Sequence, residues 1–281
     1  MTTSATAATE RRVKAGGLTY RLEVAGPEGA PPVIFGHSLL CDAAMWAPVV
    51  APLSARFRTY NVDARGHGGS EVPRRAWTLW DEAEAWREIL DALAVERVGI
   101  AGLSMGAMTG MRLALRHPGR VACLALLDTS AGRDPLLARV SRRMMAAVVR
   151  RTGPLRPVVS YAIGKLFGRT TRRENTALVE AWRERIARGS PEGAYFATRA
   201  VSERDLLLPQ LGMIRAPTLV LVGEEDEGTP PAENEAIARA IPGARLERIP
   251  RAGHLPTLEQ PEAVRRVLEP FLAEALGAVK A

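Results

Sequence analysis

The run Gly102-Leu103-Ser104-Met105-Gly106 lies between a continuous apolar stretch, Val98–Leu103, and a helical pattern at 105–117. A serine on a strand-to-helix turn, with glycine two residues to either side, is an arrangement that presents a hydroxyl for attack. The sharp turn lifts the side chain, and the glycines leave room for backbone that would otherwise collide. The N–H of the next residue, Met105, then lies at a helix N-terminus, where partial positive charge favours a developing oxyanion. A glycine-rich turn of this kind could also cradle a dinucleotide, but G-x-G-x-x-G is absent because Ser104 and Met105 occupy the required places.

A serine hydroxyl at its free pKa is a poor nucleophile, so an imidazole must take its proton and a carboxylate must orient that imidazole. Of the four histidines, His117 precedes Pro118 at a helix end and reads as a C-terminal cap. His67 sits in the glycine-rich turn Arg65-Gly66-His67-Gly68-Gly69 and reads as a loop fastener, and His37 beside Gly36 reads as scaffolding. His254 is the candidate base: it follows the short strand Arg245–Ile249 and comes after Ser104 and every acid candidate in the chain. The acid should leave the end of the strand Thr218–Gly223, where Glu224, Glu225, Asp226 and Glu227 stand. Asp226 is favoured because Pro230 and Pro231 restart a helix just beyond it, and Asp128, at the end of the strand Val121–Leu127, is the alternative.

Positioning these groups takes strands that alternate with helices. Residues 18–24 alternate polar and apolar like an exposed antiparallel strand. Pro32–Gly36, Val98–Leu103, Val121–Leu127 and Thr218–Gly223 are nearly continuous apolar runs, suited to parallel strands covered on both faces. Between them, residues 78–94 open with Thr78 and Asp81 in capping-box spacing, 105–117 end at Pro118, and 261–275 begin on a proline. Such alternation implies right-handed crossovers and a mostly parallel sheet. From 129 to 215 the strand pattern gives way to helical segments broken at Gly153-Pro154, Gly168 and Gly189-Ser190-Pro191, read as a helical lid inserted after the sixth strand. The expected organisation is a flexible tail at 1–12, a core of 13–128 and 216–277, and a lid at 129–215.

These residues resemble the α/β-hydrolase superfamily. D-x-R-G-x-G-x-S is met by Asp63, Arg65, Gly66, Gly68 and Ser70; G-x-x-D before a proline by Gly223, Asp226 and Pro230; and G-H-x-x-x-x-E-x-P by Gly253, His254, Glu259 and Pro261. The similarity covers 18–276 except the lid, returning at Ser190-Pro191-Glu192-Gly193 and Asp205. With Ser38-Leu39, Met45-Trp46 and Leu258-Glu259-Gln260-Pro261-Glu262, it looks most like 3-oxoadipate enol-lactonases and their esterase relatives. The resemblance implies an α/β fold with a mostly parallel central sheet flanked by helices and an inserted lid. It supports Asp226 as the acid, makes the Leu39 backbone N–H the second oxyanion donor beside Met105, and implies no metal or organic cofactor. Serine at the elbow argues against haloalkane dehalogenases and epoxide hydrolases, which use aspartate there.

Charge and composition bound the remaining classes. The chain of 281 residues carries a net charge of +7, with only Lys14, Lys165 and Lys280 as lysines among 38 basic residues. Residues 133–215 hold 17 basic and 7 acidic residues, a net of +10 that leaves −3 for the remainder. The positive field belongs to the lid, as a solvated outer face or a surface that attracts an anionic substrate. The paired basic residues Arg142-Arg143 and Arg150-Arg151 stand opposite an apolar series, Leu137, Val140, Met144 and Val148, expected to be that helix's packing stripe. No aromatic-interleaved basic stripe supports nucleic-acid binding. No apolar run reaches the ~20 residues of a membrane span, and residues 1–10 lack the pattern of a secretory signal. Cys41 and Cys123 suggest neither a disulfide framework nor a zinc site, which fits a reducing cytoplasm. The leading reading is a serine hydrolase of a small carboxylic ester or lactone. A carbon–carbon bond hydrolase or cofactor-free perhydrolase with the same triad, and a non-catalytic ligand-binding member of the fold, are the alternatives.

Overall fold

The structure, a computed structural model, describes residues 8–277. Eight strands form one sheet in the order β1-β2-β4-β3-β5-β6-β7-β8: β1 (Thr9–Ala15), β2 (Leu18–Ala25), β3 (Pro32–Gly36), β4 (Arg58–Val62), β5 (Val98–Leu103), β6 (Val121–Leu127), β7 (Thr218–Gly223) and β8 (Arg245–Ile249). The pairs β1–β2 and β2–β4 are antiparallel and every other pair is parallel. This is the α/β-hydrolase architecture.

Both faces of the sheet are covered, and the two-residue period of the strands sorts their side chains between two cores. On one face Ile34, Ile100, Leu124 and Val220 pack with Trp86 of α2 (Leu79–Ala92), Met108 and Met111 of α3 (Met105–Arg116) and Ile237 of α9 (Pro231–Ala240). On the other, Val33, Phe35, Leu103, Leu127 and Leu221 pack with Val49 of α1 (Ala47–Leu53) and with Leu268 and Phe271 of α11 (Pro261–Leu276), which follows the short α10 (Pro256–Glu259). Helix α2 starts where the capping box indicated: the Thr78 hydroxyl accepts from Asp81 N–H and the Asp81 carboxylate from Thr78 N–H.

Five helices stand between β6 and β7: α4 (Leu136–Thr152), α5 (Arg156–Leu166), α6 (Arg169–Glu174), α7 (Thr176–Arg188) and α8 (Pro191–Ser202). Their breaks fall at the expected residues. Gly153 ends α4 at φ 79°, Gly168 precedes α6, and the Ser190 hydroxyl caps α8 by accepting from Gly193 N–H at 3.1 Å. Among the described residues no helix is long and apolar enough to cross a membrane.

Two expectations are corrected. The sequence pattern places a flexible tail at 1–12, yet Thr9–Ala15 forms β1, paired along its length with β2; residues 1–7 lie outside the described ones. Only Val13 and Ala15 of β1 are buried, so an edge strand rich in charge carries almost no apolar signature. The series Leu137, Val140, Met144 and Val148 was expected to pack inward, and all four are exposed. Helix α4 instead turns Ala138, Met145, Ala146 and Val149 inward, a second apolar series of smaller mean size that lets it lie close over the cavity described next.

Candidate active site

Ser104 joins β5 to α3 with φ 52° and ψ −109°, a backbone conformation that costs a non-glycine residue energy and persists only where its surroundings impose it. Here they do. Ser104 N–H donates to Leu127 carbonyl (2.9 Å), and its own carbonyl accepts from Met108 N–H (2.9 Å) and from the Thr129 hydroxyl (3.0 Å). A Cβ on Gly102 would sit 2.4 Å from Ala107 N, and one on Gly106 would sit 2.3 Å from Gly36 carbonyl oxygen, so both glycines are required by backbone packing. Gly106 N–H donates to His37 carbonyl at 3.1 Å, tying the elbow to the loop after β3.

That loop carries Leu39, and both scaffold histidines fasten it. His37 Nε2 accepts from Ala64 N–H (2.8 Å) and His67 Nε2 accepts from Leu40 N–H (3.3 Å), the latter residue at φ 66°. Burial, helped by the neighbouring His37, lowers the His67 pKa to about 3, so its ring stays neutral and able to accept. His117 stands at the C-terminal end of α3, where its Nε2 pairs with Glu84 of α2 at 2.8 Å.

His254 and Asp226 meet at the ends of β8 and β7. His254 Nδ1 is 2.9 Å from Asp226 Oδ2, and both side chains are buried. The Asp226 carboxylate also accepts from Gly228 N–H (2.7 Å), Thr229 N–H (3.1 Å) and the Thr229 hydroxyl (2.8 Å). Burial works against its charge, but the His254 ring and these donors outweigh burial and hold the carboxyl below its usual range. Asp128 is different. It is fully buried with Oδ1 accepting from Gly223 N–H (2.7 Å), and burial first, then the Asp226 charge, push its carboxyl well above the usual range. The carboxylate bonded to His254 is therefore Asp226, while burial and the neighbouring Asp226 charge disfavour ionisation of Asp128.

Two residues with structural roles here were not singled out from sequence. The Thr229 hydroxyl, which donates to Asp226, lies 3.3 Å from His254 Nδ1 and so braces the pair; the sequence signal is the Asp226-x-Gly228-Thr229 turn, in which an aspartate accepts from backbone two and three residues on. Glu259, seen only as a motif position, clamps the His254 loop: its Oε1 accepts from Gly253 N–H (2.9 Å) and Leu255 N–H (3.2 Å), while its Oε2 accepts from Gly168 N–H (2.8 Å) at the start of α6.

Ser104, His254 and Leu39 line one cavity of about 780 Å³, within the usual range for a small-molecule site. Its far wall comes from the inserted helices, including Met145 and Val149 of α4. The cations that line it are internally matched: Arg142 and Arg204 both pair with Asp134, Arg185 pairs with Asp42 (2.7 Å), Arg188 with Glu184 (3.2 Å) and Lys165 with Glu227 (3.4 Å). Cys41 also lines the cavity, but burial, with Asp42 beside it, pushes its thiol far up and keeps it protonated. Met105, first residue of α3, has its N–H at the helix N-terminus beside Ser104. Among the described residues no cluster of three or more His, Cys, Asp or Glu could hold a metal ion.

Comparison with known proteins agrees with this architecture. A family model described as alpha/beta hydrolase fold matches residues 31–261. The chain is 30% identical to 3-oxoadipate enol-lactonase 1 of Acinetobacter baylyi over 256 residues, covering 91% of this chain and 94% of the relative. It is 29% identical to carboxylesterase YbfK of Bacillus subtilis, covering 88% and 82%. Among solved structures, a thermophilic esterase from Thermogutta terrifontis superposes with a TM-score of 0.90 at 33% identity, over 95% of this chain and 99% of the other. The enol-lactonase from Burkholderia xenovorans superposes at 0.87 and 29% identity, over 94% and 100%. The chain belongs to the alpha/beta hydrolase fold family.

Proposed function

We propose that this chain is a serine hydrolase that cleaves a small carboxylic ester or lactone through an acyl-enzyme, with Ser104, His254 and Asp226 as its triad. The observation that carries the reading is the buried Asp226–His254 pair at 2.9 Å, whose imidazole lines a cavity that also holds a serine on a strained elbow. Asp226 holds Nδ1–H of His254, which leaves Nε2 to take the Ser104 proton as Oγ attacks the carbonyl carbon. The Leu39 and Met105 N–H groups receive the tetrahedral oxyanion. Collapse expels the alcohol, protonated by His254. Water, activated by the same imidazole, then releases the acid. Enol-lactonases and carboxylesterases among the relatives support an ester bond as the target.

Segment 129–215 serves as the lid over a core of 9–128 and 216–277, and shapes the pocket. Because the cations on the cavity wall are ion-paired within the protein, the pocket suits a neutral ester or lactone better than an acidic one. The two buried free cysteines fit a cytoplasmic protein. A stopped-flow burst of p-nitrophenol from p-nitrophenyl acetate, with the acyl group located on Ser104 by mass spectrometry, tests the acyl-enzyme. Turnover without any covalent adduct on Ser104 would exclude it. Parallel assays of short esters, lactones and dienoate ring-cleavage products separate ester hydrolysis from carbon–carbon cleavage.

A further inference from the structure

Helix α4 has two apolar faces, and only one is covered. Its inner face lines the cavity through Ala138, Met145, Ala146 and Val149. Along α8, Arg139 Nε donates to Ser202 carbonyl (2.8 Å) and the Arg150 guanidinium forks onto Glu192, both bonds 2.7 Å. The outer face carries Leu137, Val140, Met144 and Val148 at 81, 40, 66 and 46% exposure, with Leu136 at 70% beside them. At about 100° per residue the four fall within a sector of about 80°, along a helix about 25 Å long. A lone exposed leucine needs no explanation, but a row of large apolar side chains along one helix marks a contact surface.

The charge around the row says what would cover it. Helix α4 contains five arginines and no carboxylate. Arg142 is taken by Asp134, Arg143 by Glu203 and Arg150 by Glu192. Arg151, expected opposite the apolar row, falls in the same sector at about 100° per residue, and among the described residues its side chain has no hydrogen bond or ion pair, nor do those of Arg133 and Arg156, which bracket the helix in sequence; all three are exposed. A second copy docked face to face about a two-fold axis would set these cations against one another. Anionic headgroups would meet them with opposite charge while the leucine, valine and methionine side chains enter the acyl boundary. The geometry points to the outer face of α4 as a peripheral docking surface for an anionic lipid membrane. This inference is independent of the proposed chemistry.

Co-sedimentation with vesicles reads the docking without any turnover. The wild-type protein is expected to pellet with phosphatidylcholine–phosphatidylglycerol vesicles, to bind phosphatidylcholine alone far more weakly, and to be released as salt screens the headgroups. The double variant L137Q/M144Q keeps good helix formers and removes two inserting side chains, so its partitioning should fall about tenfold or more. R133E/R151E should lose a similar factor on the mixed vesicles. Neither pair lines the cavity, so turnover of a soluble ester should match the wild type, and circular dichroism should show the same helix content. Failure of the wild-type protein to pellet, equal retention on both vesicle types, or undiminished retention of both variants would overturn the proposal. A concentration-dependent dimer lost in L137Q/M144Q would assign the row to a second copy instead.

Discussion

The Ser104 elbow and helix α4 face each other across one cavity and are built on opposite principles. At the elbow, backbone lies so close to backbone that single atoms decide the residue: a Cβ on Gly106 would collide with Gly36, and Ser104 is held at positive φ by bonds to β6 and α3. At α4 nothing is so constrained. Either of its apolar series could have been buried, and four of its five arginines are held from several directions while Arg151 has no side-chain partner among the described residues. Steric necessity leaves a mark in sequence that a permissive surface does not.

The largest effects should come from the constrained side. Ser104→Ala and His254→Ala should each lower kcat by roughly four to six orders of magnitude with the fold intact, and the double variant should be little worse than either, as expected of the proposed triad, whose members would act as a unit. Additive losses measured on one ester substrate would mean that the two side chains act separately.

The paired acids come next. Asp226→Asn should cost about four orders of magnitude in kcat by mis-orienting the imidazole. Asp128→Asn should stay within about tenfold, since asparagine keeps an acceptor for Gly223 N–H and burial with the Asp226 charge already disfavours the ionised carboxyl at this position. If Asp226→Asn turns over normally and Asp128→Asn does not, the acid assignment is reversed. The two carboxyls also differ in their linkage to stability. Asp226 is lowered in the fold, so its contribution is present above the unfolded pKa and is lost as pH falls through the folded value. Asp128 is raised, so its contribution is full below the unfolded value, about 3.9, and is lost as pH climbs toward the folded one. The Tm of Asp128→Asn relative to wild type should therefore rise from acidic to neutral pH. A constant difference would mean that Asp128 titrates like an exposed carboxyl.

Thr229→Val removes the hydroxyl that braces Asp226 while keeping the side-chain shape, and should lower kcat by about ten- to a hundredfold, the cost of one unmade hydrogen bond to a buried charge. An unchanged kcat would mean that the backbone donors from Gly228 and Thr229 orient the carboxylate unaided.

What could be read from the chain follows the same division. The elbow, His254 and Asp226 were legible because glycine spacing, strand ends and chain order are local features that the geometry leaves little freedom to vary. Strand β4 carries no continuous apolar run: Thr59 and Asn61 are buried but polar, the Thr59 hydroxyl donating to Ala25 carbonyl and the Asn61 Nδ2 to Ala43 carbonyl. Strand β1 exists through its pairing with β2 rather than through its own pattern. Thr229 is held by a local turn onto Asp226, but it bears on the site only because His254, 25 residues away, approaches the same carboxylate. On α4 the periodicity was right and the face was wrong, because a helical period cannot choose between two apolar stripes when the partner is a cavity rather than a core.

That ambiguity yields the smallest and sharpest comparison, between neighbours on one helix. Met145 lines the cavity and Met144, the residue before it, points to solvent at 66% exposure. Met145→Gln places an amide against the bound acyl or leaving group, so KM for a neutral ester should rise several-fold with kcat nearly unchanged, as expected when binding is lost equally in the ground and transition states. Met144→Gln should alter neither constant and should leave stability within about 0.5 kcal/mol, the usual range for an exposed site. Steady-state kinetics on a short neutral ester, beside thermal melts of both variants, decides it. A KM effect from Met144 that matches the one from Met145 would mean that α4 rotates in solution to offer either stripe to the cavity, and the outer row would then be a second lining rather than a surface.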